Sequence, residues 1–141
     1  MERHNAAMIY PLLPEHIERI FEGRDVFCKY VGKGRPRIGE GSKLLFYALG
    51  GRFEVLGEAI VQVIEFLTPK EAATKYEGRL FIANEELEDY RKKEGRPPGK
   101  KLLVLRLTNV KKYDKPHKLS KTVTMAGQTL TETEYRKLLS K

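Results

Sequence analysis

Cysteine is almost absent from this 141-residue sequence, with Cys28 as the lone thiol. One thiol excludes an internal disulfide and fits a reducing compartment. Side-chain amides are scarce too: only Asn5, Asn84, Asn109, Gln62 and Gln128 occur, beside abundant Lys, Arg and Glu. High-temperature proteomes show that bias, because charge networks gain value with heat while amides degrade. The three histidines, His4, His16 and His117, are scattered with no second ligand at metal spacing, so neither zinc nor any other cofactor is expected. No apolar run approaches the roughly 20 residues needed to span a bilayer. No apolar stretch of signal-peptide kind precedes the first proline in "MERHNAAMIYPLLPEH". The expectation is a cytoplasmic chain with no membrane partner. It has no repeats or low-complexity tracts, and its length suffices for one core and hardly for two.

What is present in excess is positive charge. Of a net +8, residues 91–121 hold twelve Lys or Arg against Glu94 and Asp114, a local +10, so the remaining residues sum to −2. A local excess favours a face that binds a polyanion over a uniformly cationic surface. The competing reading is a solvated charged surface, which is what most lysine-rich faces are.

The apolar pattern predicts alternating strands and short helices. "MIYPLL" (8–13) reads as a first strand, and Pro14 opens a helix with Leu13, Ile17, Ile20 and Phe21 at helical spacing, Glu15 and Arg19 paired, and Gly23 as the stop. "DVFCKYV" follows as a strand in which Cys28 is a small core residue. The glycine-rich cationic loop "GKGRPRIGEGSK" lacks a Walker A ending, and Pro36 breaks a GxGxxG match, so it is no nucleotide cradle. "KLLFYAL" and "EVLGEAIVQVIEFL" form a hairpin about Gly50-Gly51. The second run is too long for a flat strand, its polar residues change faces, and Gly57 suits a bulge where it bends; a closing barrel writes strands this way. Thr68 to Glu71 forms a capping box, Asn84 caps another helix that stops at Gly95, and Thr131 to Glu134 forms a last capping box. "LLVLRL" is a central strand, followed by the bent, basic "TNVKKYDKPHKLSK".

In this order the elements resemble the PUA-like superfamily, especially its ASCH and EVE branches and an uncharacterised archaeal family of the same shape. The likeness is carried by "IGEGSKLLFYAL", by the returning "VLGEAIV" and by the closing "LTNVKKYDKP", and it covers most of residues 8–118. It implies an α+β fold, a single PUA-like pseudo-β-barrel over residues 1–141 with two to three peripheral helices. It also implies RNA binding or the reading of modified nucleotides, or, in some ASCH members, a small hydrolase. Those hydrolases carry a Gly-x-Lys-x-x-Thr pattern. Here the matching stretch is Gly23 to Cys28, with Asp25 in place of Lys and Cys28 in place of Thr. Arg24 cannot accept a proton in its stead, because a guanidinium stays protonated in proteins.

The favoured function is an RNA-binding module that reads a modified or unstacked nucleotide at the barrel rim, with tRNA or rRNA as partner. Its expected contacts are Lys29 and Tyr30 on the second strand, Lys33, Arg35 and Arg37 on the loop after it, and Lys111, Lys112, Tyr113, Lys115, Lys118 and Lys121 on the closing segment. The basic residues would hold phosphate through counterion release, and the interleaved tyrosines would stack bases. Barrel packing is the competing role for both rings, more so for Tyr30. The alternatives are an ASCH-type hydrolase of a nucleoside or amide using Glu58 or Asp25 as base, and a ribosome-associated part that meets rRNA incidentally. Glu58 and Glu65 are explained more simply by ion pairs than as a catalytic pair.

Overall fold

The computed structural model describes residues 7–30, 38–50, 53–119 and 128–140. Strand β1 (Ala7–Leu12) is buried at every position, because both of its faces are covered. It leads into α1 (Pro14–Phe21), where Pro14 occupies the first turn and Gly23, at φ +113°, ends it. Ile17 and Ile20 are buried, whereas Leu13 stays 43% exposed. Arg19 does not pair with Glu15; it reaches Glu86 at 2.5 Å, so a tertiary partner displaces the local one.

Strand β2 (Val26–Lys29) follows, then the hairpin of β3 (Lys43–Ala48) and β4 (Glu54–Leu67). The hairpin is antiparallel as the sequence predicts, with a register shift between Phe46 and Tyr47 opposite Gly57 and Val55. Gly57 is required there: a Cβ would stand 2.4 Å from the Lys111 carbonyl oxygen and 2.7 Å from the Phe21 ring. Helix α2 (Pro69–Lys75) has the Thr68/Glu71 capping box. Helix α3 (Asn84–Lys93) starts one residue earlier than the sequence implies. Its N-cap is Ala83, whose N–H donates to Glu86 at 2.7 Å, so the cap comes from Glu86 and not from Asn84.

Strand β5 (Leu102–Lys118) joins the apolar "LLVLRL" to the basic segment in one long element. It is bent strongly, since Val55 pairs with His117 and Gly57 with Lys112, leaving Tyr113 to Pro116 as an excess bulge. Strand β6 (Gln128–Leu130) and α4 (Glu132–Leu139) close the chain, the latter on its Thr131/Glu134 box. Among the described residues there are four helices where two to three were expected.

The strands form one sheet in the order β2-β5-β4-β3-β1-β6, with β1 and β3 parallel and the other neighbours antiparallel. Side chains alternate between its two faces. Met8, Tyr10 and Leu12 of β1 and Leu44, Phe46 and Ala48 of β3 enter the main core with α1, α2 and α3. Ala7 and Ile9, Leu45 and Tyr47 enter a second, smaller core with Tyr135 and Leu138 of α4. Two covered faces account for the uninterrupted apolar runs. The central hairpin is the wall between both cores.

Candidate nucleic-acid interface

Among the described residues the sheet runs from β2 at one edge to β6 at the other, and β6 pairs with Ala7 to Ile9 of β1. A cleft of about 440 Å³ lies at the seam between the ends of β1 and β2. Its walls are aromatic, from Tyr10, Phe27, Tyr30, Phe81 and Tyr90, with α1 and α3 contributing His16, Glu86 and Lys93. Tyr10 and Phe27 stack at 5.5 Å, and Tyr30 lies 5.3 Å from Tyr90.

Lys29 lies on this wall, half-buried, with its ammonium 4.4 Å from the Tyr10 ring centroid. Burial pulls its pKa below the ordinary lysine value, with Glu94 opposing. Tyr30 is buried at 4% exposure, under the Arg96 guanidinium at 5.5 Å, and its hydroxyl has no hydrogen-bond partner among the described residues. A base therefore does not meet an open Tyr30 face; Tyr10, Phe27 and Phe81 are as buried, and Tyr90 is the cleft aromatic that stays half-buried.

Glu86 organises the far end. Its carboxylate accepts from Arg19 and from the Ala83 N–H, and lies 3.6 Å from His16 Nε2. The Arg19 hydrogen bond is the main reason its pKa is held down to about 2. His16 packs edge-on against Phe81 at 5.3 Å, a tertiary role the sequence does not disclose.

The second expected group of contacts divides. Lys111, Lys112, Lys115 and Lys118 are exposed on β5, but Lys112 pairs with Glu18 at 3.4 Å beside the Phe21 ring. Tyr113 turns inward: only 8% exposed, its hydroxyl donates to Glu58 at 2.6 Å. A stacking role for Tyr113 is therefore incompatible with this packing. Tyr135 of α4 donates to the same Glu58 oxygen at 2.7 Å and accepts from Lys43 at 2.8 Å. Burial acts to raise the Glu58 carboxyl, yet the two phenols and Lys43 hold it below the ordinary value. This knot ties α4 to the sheet, and nothing in the sequence linked Glu58 to Tyr135. Lys33, Arg35, Arg37 and Lys121 lie outside the described residues.

The carboxylates considered as catalytic bases are engaged elsewhere. Asp25 accepts two hydrogen bonds from Arg79 at 3.0 Å, and neither it nor Glu58 lines the cleft. Glu65 is held by Lys75 and Tyr76, apart from Glu58. Cys28 is buried, its thiol pushed up to about 12. Among the described residues, no three His, Cys, Asp or Glu come together as a metal site, and no helix is long and apolar enough to cross a membrane.

Among the described residues a bulged six-stranded sheet with helices packed about it has the fold of a PUA-like pseudo-barrel, as ASCH domains do. The ASCH protein of Zymomonas mobilis shares this fold at a TM-score of 0.79 and 19% identity, over 96% of this chain and 94% of that one. The N-terminal domain of Staphylothermus marinus McrB shares it at 0.63 and 12% identity, over 99% and 96%. Residues 5–132 match the domain of unknown function DUF365, and the chain belongs to that family. An uncharacterized protein of the archaeon Methanocaldococcus jannaschii, MJECS03, is 34% identical over 106 residues, which is 70% of this chain and 98% of the relative. The structural likenesses establish shape, not activity.

Proposed function

We propose that this protein is an RNA-binding module that takes one unstacked nucleotide into the seam of its pseudo-barrel. The observation that carries the reading is the cleft itself: aromatic walls, a volume of about 440 Å³, and the Lys29 ammonium at one side. Aromatic walls with a few placed polar groups suit a base and exclude a strongly hydrated ligand. Sheet register supplies a path away from the cleft. Leu12 pairs with Ala48, Ala48 with Glu54, and Glu54 with Lys118, so the basic end of β5 lies in the same row as the cleft residue Leu12. Three strand spacings separate them, about 14 Å. An RNA strand with one base in the seam would run along this end of the sheet, its phosphates meeting Lys118 and the exposed Lys115 of the bulge.

Fluorescence anisotropy with labelled RNA tests the reading. Single-stranded decamers bind and a perfect duplex of the same sequence binds more weakly, because its bases cannot leave the stack. Lys29→Met keeps the apolar stem and removes the charge, and weakens single-strand binding by about tenfold, as expected for a charge-assisted contact. Equal binding of duplex and single strand, or an unchanged affinity in the Lys29→Met protein, overturns it.

A further inference from the structure

Two described residues other than glycine hold a left-handed backbone, Asn109 at φ +50° and Phe53 at φ +57°. Asparagine adopts that conformation readily, whereas a bulky aromatic residue is an outlier there. Burial does not compensate Phe53, which is 37% exposed. A glycine would fit the turn with less strain and leave no ring in solvent. Neither the backbone nor the core therefore explains a phenyl group at this position. Its place is fixed from two sides. The Leu119 N–H, just past β5, donates to the Phe53 carbonyl at 2.7 Å. Ala48 pairs with Glu54, so Leu49 and Phe53 are the next residues into the turn of the hairpin. Leu49 lines the cleft with Leu13, itself 43% exposed. On the far side Lys118 pairs with Glu54, and Lys115 is exposed on the bulge. An exposed ring thus stands between a wall of the cleft and the basic end of β5.

We propose that Phe53 is a stacking platform for the nucleotide next to the one held in the seam. This rests on the cleft being a nucleotide site and adds a second contact to the same strand of RNA. Every base has a π-face, so a ring without hydrogen-bonding groups stacks on any of them and gives affinity without sequence preference. The phosphates beside that base meet Lys115 and Lys118, the combination of ring and cation that single-strand sites use. The left-handed φ also takes Phe53 out of the alternation of β4, in which Val55 and Leu56 pack into the two cores. A duplex hides its base faces from such a ring. A protein partner is a poorer occupant, because one ring beside lysines offers little of the contiguous apolar area that a protein interface needs.

The chain contains no tryptophan, so Phe53→Trp keeps a stacking ring and makes position 53 the sole indole reporter. Single-stranded RNA decamers quench its emission, and the quenching saturates where fluorescence anisotropy reports binding. Inorganic polyphosphate, which has the charge and no bases, quenches far less. Phe53→Leu keeps the apolar bulk and the turn but loses the ring, and binds the decamer about tenfold more weakly than wild type, the cost of one base stack. Phe53→Gly relieves the turn, melts no lower than wild type, and weakens binding at least as much. Unchanged affinity in Phe53→Leu, or quenching by polyphosphate as strong as by RNA, overturns the platform and leaves the nucleotide reading standing. A Phe53→Gly protein that melts well below wild type gives the ring a packing role, and a concentration-dependent dimer that Phe53→Leu disperses gives it to a second copy; either result overturns the proposal. Failure of the wild-type protein to bind the decamer overturns the nucleotide reading, and the platform falls with it.

Discussion

Glu86 joins α1 to α3 through one carboxylate, and its ionisation therefore couples stability to pH. The folded carboxyl is held at about 2 against an ordinary value of 4.5, first by the Arg19 hydrogen bond and also by the Ala83 N–H. A depressed folded pKa means that the unfolded chain takes up the proton more readily. The contribution is then complete above pH 4.5 and is lost as pH falls toward 2. Glu86 keeps 37% side-chain exposure, so solvent screens part of the effect. Melting temperatures of the wild type and Glu86→Gln should differ most near pH 6 to 7 and converge as pH falls to about 2. Parallel melting curves across that range would show that the Arg19 pair contributes nothing to the fold.

At the scale of elements, the contact of β4 with β5 and α1 depends on a missing side chain. Gly57 lets the Lys111 carbonyl and the Phe21 ring approach to distances that no Cβ tolerates. Its φ is not left-handed, so the requirement is space and not backbone freedom. Gly57→Ala should lower stability by about 3 kcal/mol, the upper part of the overpacking range, because one of the clashing atoms is backbone. Chemical denaturation measures it, and a loss below about 0.5 kcal/mol, the usual range for a neutral surface change, would mean that the strands part freely. This glycine was legible in the sequence as a bulge, as were both Thr-x-x-Glu capping boxes and the Pro14 start of α1, because each is decided within a few residues. Partner choice was not legible. Arg19 passes over Glu15 for Glu86, 67 residues away, and Tyr113 and Tyr135 converge on Glu58 from distant segments. Local spacing cannot rank such contacts, since they exist only after the sheet is assembled. For the same reason a tyrosine between lysines reads as exposed when its ring is in the second core.

At the scale of the whole molecule, the seam and the basic end of β5 act together only if one strand of RNA touches both. The cleft was invisible in the sequence, because its lining comes from β1, α1, β2 and α3, which meet only in the assembled fold. The charge was visible, although Lys112 is partly spent on Glu18. Lys29 and Lys93 at the cleft, with Lys115 and Lys118 at the sheet end, would neutralise about four phosphates, and log K should fall against log salt with a slope of about −3 for single strands. Lys115→Ala with Lys118→Ala removes the distal pair alone. The slope should become shallower by about 1.4, since each single-strand phosphate contact contributes about 0.7. Stability should hardly change, because both side chains are exposed and isolated surface charges contribute little. If the double variant keeps the parent slope, the strand leaves the seam in another direction, and the β5 lysines are only a solvated face.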